Sequence, residues 1–152
     1  MAKKRKNSEA GGFENIMTAA MSSFERPKPL ARGVYKGTIL PPRKGRSPAK
    51  KTPFRQFLFA PSEEIKIVGE QAPDWSERRM GMDKLYISKR AMWAVREFFE
   101  QLGLNVEQTL PELIQEAIGL EIYAAVDIEE TDDGDHYNVI TDFSVEPIEN
   151  DE

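Results

Sequence analysis

The chain contains no cysteine and one histidine, His136. Those absences exclude thiolate chemistry, disulfide frameworks and zinc sites built from Cys and His. No apolar run approaches the roughly 20 residues that cross a bilayer as a helix, and the charged start Lys3-Lys4-Arg5-Lys6 has no signal-peptide apolar core behind it. The expected location is the cytoplasm. The most informative absence is of one sign of charge. Beyond Arg96 there is no Lys or Arg: residues 1–96 hold all 21 basic residues against 9 acidic ones, and residues 97–152 hold 17 acidic residues. The formal net charge of -5 therefore conceals +12 followed by -17. A solvated surface ordinarily intersperses both signs, so the asymmetry favours a nucleic-acid or membrane partner for the basic part. Nucleic acid is the partner expected, with no membrane partner.

At 152 residues, 39% hydrophobic and 31% charged, the chain suits one domain with tails. Residues 1–29 read as a basic arm in which Phe13, Ile16, Met17, Ala20, Met21 and Phe24 recur at helical spacing, too short a helix to stand alone in water. The domain proper is expected over 30–143, and 144–152, SVEPIENDE, as an acidic disordered tail. Within the domain, GVYKGTIL alternates as a strand that Pro41-Pro42 should end. Residues 41–53 follow as a long basic loop. FRQFLFA, residues 54–60, and EIKIVG, residues 64–69, read as second and third strands joined by a tight Pro61-Ser62 turn. KLYI, residues 84–87, is either a fourth short strand or a continuation of the third.

Ser88 is a good N-cap, and Ala91, Met92, Val95, Phe98, Phe99 and Leu102 share one helical face up to Gly103. Thr109-Leu110-Pro111-Glu112 has the form of a capping box opening a shorter helix that stops at Gly119. LEIYAAVDI alternates, and the turn TDDGDH with the strand YNVITDF completes a hairpin. The order predicts a mainly β, α+β domain: an OB-like five-stranded barrel with a helix between strands 3 and 4, plus disordered tails. An SH3-like barrel or a generic α+β domain has a similar order of elements.

Four stretches, LARGVYKGTI, AVREFFEQLGL, ELIQEAIGLEIYAAVDI and HYNVITDF, carry a resemblance that covers residues 30–143. The domain resembles phage-encoded single-stranded-DNA-binding-like proteins of replication and recombination cassettes. The long basic loop and the Arg-rich segment around Trp75 depart from that pattern. The resemblance implies single-stranded DNA binding on an OB-fold.

The residues point the same way. A phosphate chain needs cations that can follow it, and Arg43, Lys44, Arg46, Lys50 and Lys51 supply five in the basic loop, extended by Lys36 and Arg55 on its flanks. The bland alternative is a solvated loop. Bases stack on aromatic rings without sequence preference, and Tyr35, Phe54 and Trp75 are the candidate platforms. Alternation puts Phe57 and Phe59 on one face and Phe54 on the other, so either set is buried and the other exposed. Trp75 is either a stacking residue, with Arg78 and Arg79 as phosphate contacts beside it, or a cover for one end of the barrel. Glu129, Glu130, Asp132, Asp133 and Asp135 do not have EF-hand spacing, and a hairpin turn remote from basic sequence is a poor place to receive an anionic substrate for metal-assisted hydrolysis.

The resulting expectation is a non-enzymatic, cofactor-free and metal-free protein that coats and protects single-stranded DNA, with RNA the less favoured strand, in phage or viral replication or recombination. The acidic tail is expected to recruit replication or recombination proteins, and homo-oligomerisation stays open. The alternative is a protein-interaction or viral assembly factor whose acidic C-terminal third docks a basic partner or mimics nucleic acid.

Overall fold

The computed structural model describes residues 17–21 and 28–148. The Lys3–Lys6 cluster, both ends of the expected 13–24 helix and the last four residues lie outside the described residues. Five strands run in the order β1 Arg32–Arg46, β2 Pro53–Val68, β3 Met80–Tyr86, β4 Glu121–Glu130 and β5 His136–Ser144. Two helices, α1 Met92–Gln101 and α2 Leu110–Ala117, stand between β3 and β4, and short 3-10 turns cover Trp75–Glu77 and Lys89–Ala91. The domain is mainly β, of the α+β class.

The strands form one antiparallel sheet in the order β3-β2-β1-β4-β5. The sheet is open, which corrects the expected barrel. Its edges β3 and β5 run parallel and approach each other, but no ladder joins them among the described residues. A cleft of about 360 Å³ separates Arg79 and Gly81 from His136 and Tyr137 there.

Two expectations drawn from proline fail for one reason. Pro41-Pro42 does not end β1, which runs on to Arg46 and pairs with β2 as far as Pro53. By this level β1 has outrun β4, which reaches only Thr38. The two prolines face Phe57 in a register shift between Leu40 and Arg43. A bulge is a place where a missing N–H takes nothing from the ladder. Pro61 falls at a second register shift, opposite Gly37. The Pro61-Ser62 turn is therefore absent, and the expected second and third strands are one strand, β2. The true third strand contains KLY of the KLYI segment. The expected basic loop shrinks to 47–52, and the rest of it is hairpin.

The core lies between the sheet and the helices. Phe57, Phe59, Val95, Phe98, Phe99, Leu102, Leu113, Ile122 and Phe143 are all buried in it. The Phe57 ring stacks on Phe98 at 5.7 Å between centroids and meets Phe99 edge-on at 6.1 Å. Phe98 also touches Phe143, at 5.1 Å. The α1 face legible as a helical stripe is thus the one that covers β2 and β5. Ser88 Oγ accepts from the Ala91 N–H at 3.3 Å ahead of α1, and Gly103 ends it at φ +77°, a left-handed conformation that suits glycine. Thr109 and Glu112 form the capping box of α2. Val145 packs against the core too, so the domain extends past Phe143.

Candidate nucleic-acid interface

Where the β1–β2 hairpin outruns β4, it becomes an arm from Arg43 to Arg55, with β3 alongside. Side chains alternate between its two faces. On the outer face, Gly45 stands opposite Phe54, and Phe54 opposite Tyr86; Arg43 stands opposite Gln56, and Gln56 opposite Lys84. Phe54 lies outside the core cluster and is 8% exposed. What covers it is local. Its ring occupies the space over Gly45, where a Cβ would come 2.4 Å from the ring tip. Tyr86 meets it edge-on at 5.6 Å, and the Lys84 ammonium lies 5.0 Å above its centroid. Alternation predicts that one of the Phe54 and Phe57 faces is exposed; instead Phe54 too is buried, beneath a local cover of Tyr86 and one flexible cation.

Gln56 is the one buried polar side chain among the described residues, and both ends of its amide are used. Nε2 donates to the Met82 carbonyl at 2.7 Å, and Oε1 accepts from Arg43 Nε at 2.7 Å. Arg43 is thereby anchored through Nε while the residue stays exposed. Arg46 donates to the Lys51 carbonyl at 2.9 Å and Arg55 to the Phe54 carbonyl at 3.3 Å.

Ion pairing separates the cations into two groups. Arg32 pairs with Asp127 at 2.6 Å, Lys36 with Glu121 at 3.6 Å, Arg78 with Asp74 at 2.8 Å and Arg96 with Glu100 at 3.1 Å. Arg43, Lys44, Arg46, Lys50, Lys51, Arg55 and Lys84, together with Arg79, Lys89 and Arg90 elsewhere, have no carboxylate at ion-pair distance among the described residues. The guanidinium hydrogen bonds of Arg32 and Arg78 help to hold the carboxyls of Asp127 and Asp74 below the usual range, with the Ile128 N–H the larger influence on Asp127. Asp83, beside Lys84, is shifted the other way by partial burial.

Of the residues expected to bind nucleic acid, the arm brings together Arg43, Lys44, Arg46, Lys50, Lys51, Phe54 and Arg55. Tyr35, Lys36, Trp75, Arg78 and Arg79 lie elsewhere. Tyr35 is fully buried, its hydroxyl donating to the Ala31 carbonyl and accepting from Gln71 Nε2, so its ring faces the core and not a ligand. Burial raises its phenol pKa, with the Gln71 hydrogen bond opposing. Trp75 packs partly buried against Tyr35, centroids 6.0 Å apart, and covers this part of the core. Lys36 lies 5.7 Å over the Tyr123 ring, and Arg79 lines the β3–β5 cleft. Gln56, Lys84 and Tyr86 were not singled out from the sequence, although the i, i+2 spacing of Lys84 and Tyr86 puts both on one face of KLYI.

The acidic residues of the β4–β5 turn sit at the far end of the sheet, because β4 runs antiparallel to β1 with Val126 opposite Gly33. Glu129 accepts from the Tyr137 hydroxyl at 3.0 Å and raises its pKa. Among the described residues no three His, Cys, Asp or Glu side chains stand close enough to hold one metal ion, and no helix is long and apolar enough to cross a membrane. No protein-family model, curated protein or solved structure matches this chain.

Proposed function

We propose that this protein is a sequence-tolerant single-stranded-DNA-binding protein that coats and protects a strand during phage or viral replication or recombination, in the host cytoplasm. The observation that carries the reading is the arm: Arg43 and Lys84 on the face of the Phe54–Tyr86 pair, Lys50 and Lys51 at the turn, and Lys44, Arg46 and Arg55 on the other face of the hairpin, all without carboxylate partners among the described residues. Phosphates meet Arg43 on the Phe54 face, Lys50 and Lys51 at the turn, and Lys44, Arg46 and Arg55 on the other face of the hairpin. A base stacks on Phe54 and Tyr86 after the Lys84 ammonium swings off the ring to a neighbouring phosphate. Duplex bases are already stacked and paired, so only a strand that can unstack gains from the aromatic pair.

The strand order supports an OB-like relationship. Neighbours β3-β2-β1-β4-β5 and parallel edges would give the OB arrangement if β3 and β5 paired, with the helices inserted between β3 and β4. The outer faces of β2 and β3, where oligonucleotides lie on that fold, are where Phe54, Gln56, Lys84 and Tyr86 stand. The phage resemblance of residues 30–143 points to the same activity.

Titration with a labelled dT oligomer across a salt series is the test. About five phosphate contacts on a single strand give a log-log slope of about -3 to -4. Replacing Arg43, Lys44, Arg46, Lys50 and Lys51 together with Ala is expected to weaken binding to all sequences alike, with about 1 to 3 kcal/mol of stability lost as the buried Gln56 loses Arg43, while far-UV circular dichroism keeps the parent spectrum. No complex at low salt would reject the reading in favour of a protein-interaction role for the acidic third.

A further inference from the structure

We infer that the opposite face of the arm, where it overhangs α2, is a second nucleotide subsite that takes a base on an apolar floor and its phosphate between Lys44 and Arg55. The inference rests on the nucleic-acid reading above and adds a place for the strand on the other side of the sheet. Lys44 and Arg55 are cross-strand partners, as are Arg55 and Leu85. Their side chains therefore leave the face that farther along carries the core. At this level the start of α2 takes the place of the core.

Ile87, Leu110, Pro111 and Ile114 floor a groove of about 450 Å³, with Lys44, Arg55 and Gln115 completing its walls. That volume falls within the range of about 300 to 1,000 Å³ usual for small-ligand sites. The position of α2 is fixed by main-chain bonds to β1: the Gly119 N–H donates to the Ile39 carbonyl at 2.7 Å, and the Ile39 N–H to the Leu120 carbonyl at 2.9 Å.

The helix belongs to the acidic third of the chain, yet no carboxylate lines the groove. Both acidic residues of α2 are tied elsewhere. Glu112 accepts from the Thr109 N–H at 2.9 Å, and Glu116 accepts from Gln108 Nε2 at 3.0 Å. What α2 turns toward the arm is aliphatic surface and one amide. The groove wall itself thus presents no carboxylate to an entering anion.

An acidic peptide would meet the same two cations, but the groove is not an isolated pair. Lys44 and Arg55 also line an adjoining cleft of about 350 Å³ with Gly45, Arg46 and Pro53. The cations thus continue along a path, as the repeating charge of a phosphate chain requires. The aliphatic floor beside them suits the apolar face of a base.

The test uses the full-length protein and residue 115, which is exposed, lies in α2 and is no part of the Phe54 face. Glu and Lys are both good helix formers, so Gln115→Glu and Gln115→Lys are expected to keep the fold. With a fluorescent dT oligomer at low salt, the Glu variant is expected to bind about two- to fivefold more weakly and the Lys variant more tightly by a similar factor, the size of one exposed charge contact. A 4-thiothymidine oligomer is expected to cross-link to Leu110–Gln115. Equal affinities for all three proteins and no cross-link to α2, while Phe54→Ala still weakens binding, would overturn the subsite and leave the outer-face reading standing. An acidic peptide that binds while the oligomer ignores residue 115 would also overturn it. Absence of any complex with the parent protein would remove both readings together.

Discussion

Phe54 and Phe57 are three positions apart on one strand and have opposite fates. Phe57 is buried between Phe98 and Phe99, and Phe57→Ala is expected to cost about 3 to 5 kcal/mol in chemical denaturation, the usual penalty for emptying an aromatic core site. Phe54 packs on Gly45 and Tyr86 outside the core cluster and lies under Lys84. Phe54→Ala is expected to remove about 1 to 3 kcal/mol of stacking from dT binding, while an abasic oligomer binds parent and variant equally. Equal loss with the abasic strand would show that the ring supports the arm and stacks no base. The Arg32–Asp127 pair supplies a pH signature. The Asp127 carboxyl is held low by the Ile128 N–H and by Arg32, so its contribution is present above the ordinary carboxylate pKa and is lost as pH falls through the lowered one. Asp127→Asn is expected to be less stable than the parent at neutral pH and equal to it in acid beyond that fall. A difference that persists unchanged into acid would assign the effect to packing.

At the scale of elements, the arm depends on Gly45 for close approach. Gly45→Ala puts a methyl where the Phe54 ring lies; a shift of ring or strand follows, with a melting temperature lowered as expected for about 1 to 3 kcal/mol of overpacking and a weaker oligomer complex. An unchanged melting temperature would mean that the ring moves freely. These elements were unequally legible in the sequence. Both helices and the β4–β5 hairpin could be read, since the stripe from Ala91 to Leu102, the capping box at Thr109 and the alternation of LEIYAAVDI are local patterns. The length of β1 and β2 could not. Pro41-Pro42 and Pro61 are local stop signals, and only tertiary register shows that they fall in bulges. The open edge was hidden for the same reason, because closure depends on how two distant strands meet. In the site, the cations of residues 43–55 were visible as a run and Phe54 through alternation with Phe57. The burial of Tyr35 and the pairing of Lys36 with Glu121 are long-range facts that no short pattern announces.

At the scale of the whole molecule, the charge asymmetry of the sequence becomes a separation in space, with the cationic arm and the acidic β4–β5 turn at opposite ends of the sheet. The last four residues add Glu149, Asp151 and Glu152. A tethered acidic segment competes with phosphate at an effective concentration set by its tether. Deleting residues 149–152 is expected to tighten dT binding at low salt and to matter less as salt screens the competition. Equal affinities of the two proteins at every salt concentration would leave the end as solubilising charge only. A last consequence follows from Pro41-Pro42. At that level β1 offers no amide hydrogen to β2, so the arm and the body share one cross-section with fewer backbone bonds than either side of it. The arm is thereby a unit that can open separately. Amide protons of Gly45, Arg46 and Phe54 are expected to exchange with solvent faster than those of Ile39, Phe57 and Phe59, and to slow when a dT oligomer is added. Uniform exchange across the prolines would mean that the two parts open together. Separate opening lets the hairpin adjust to a strand while the packed body keeps its shape.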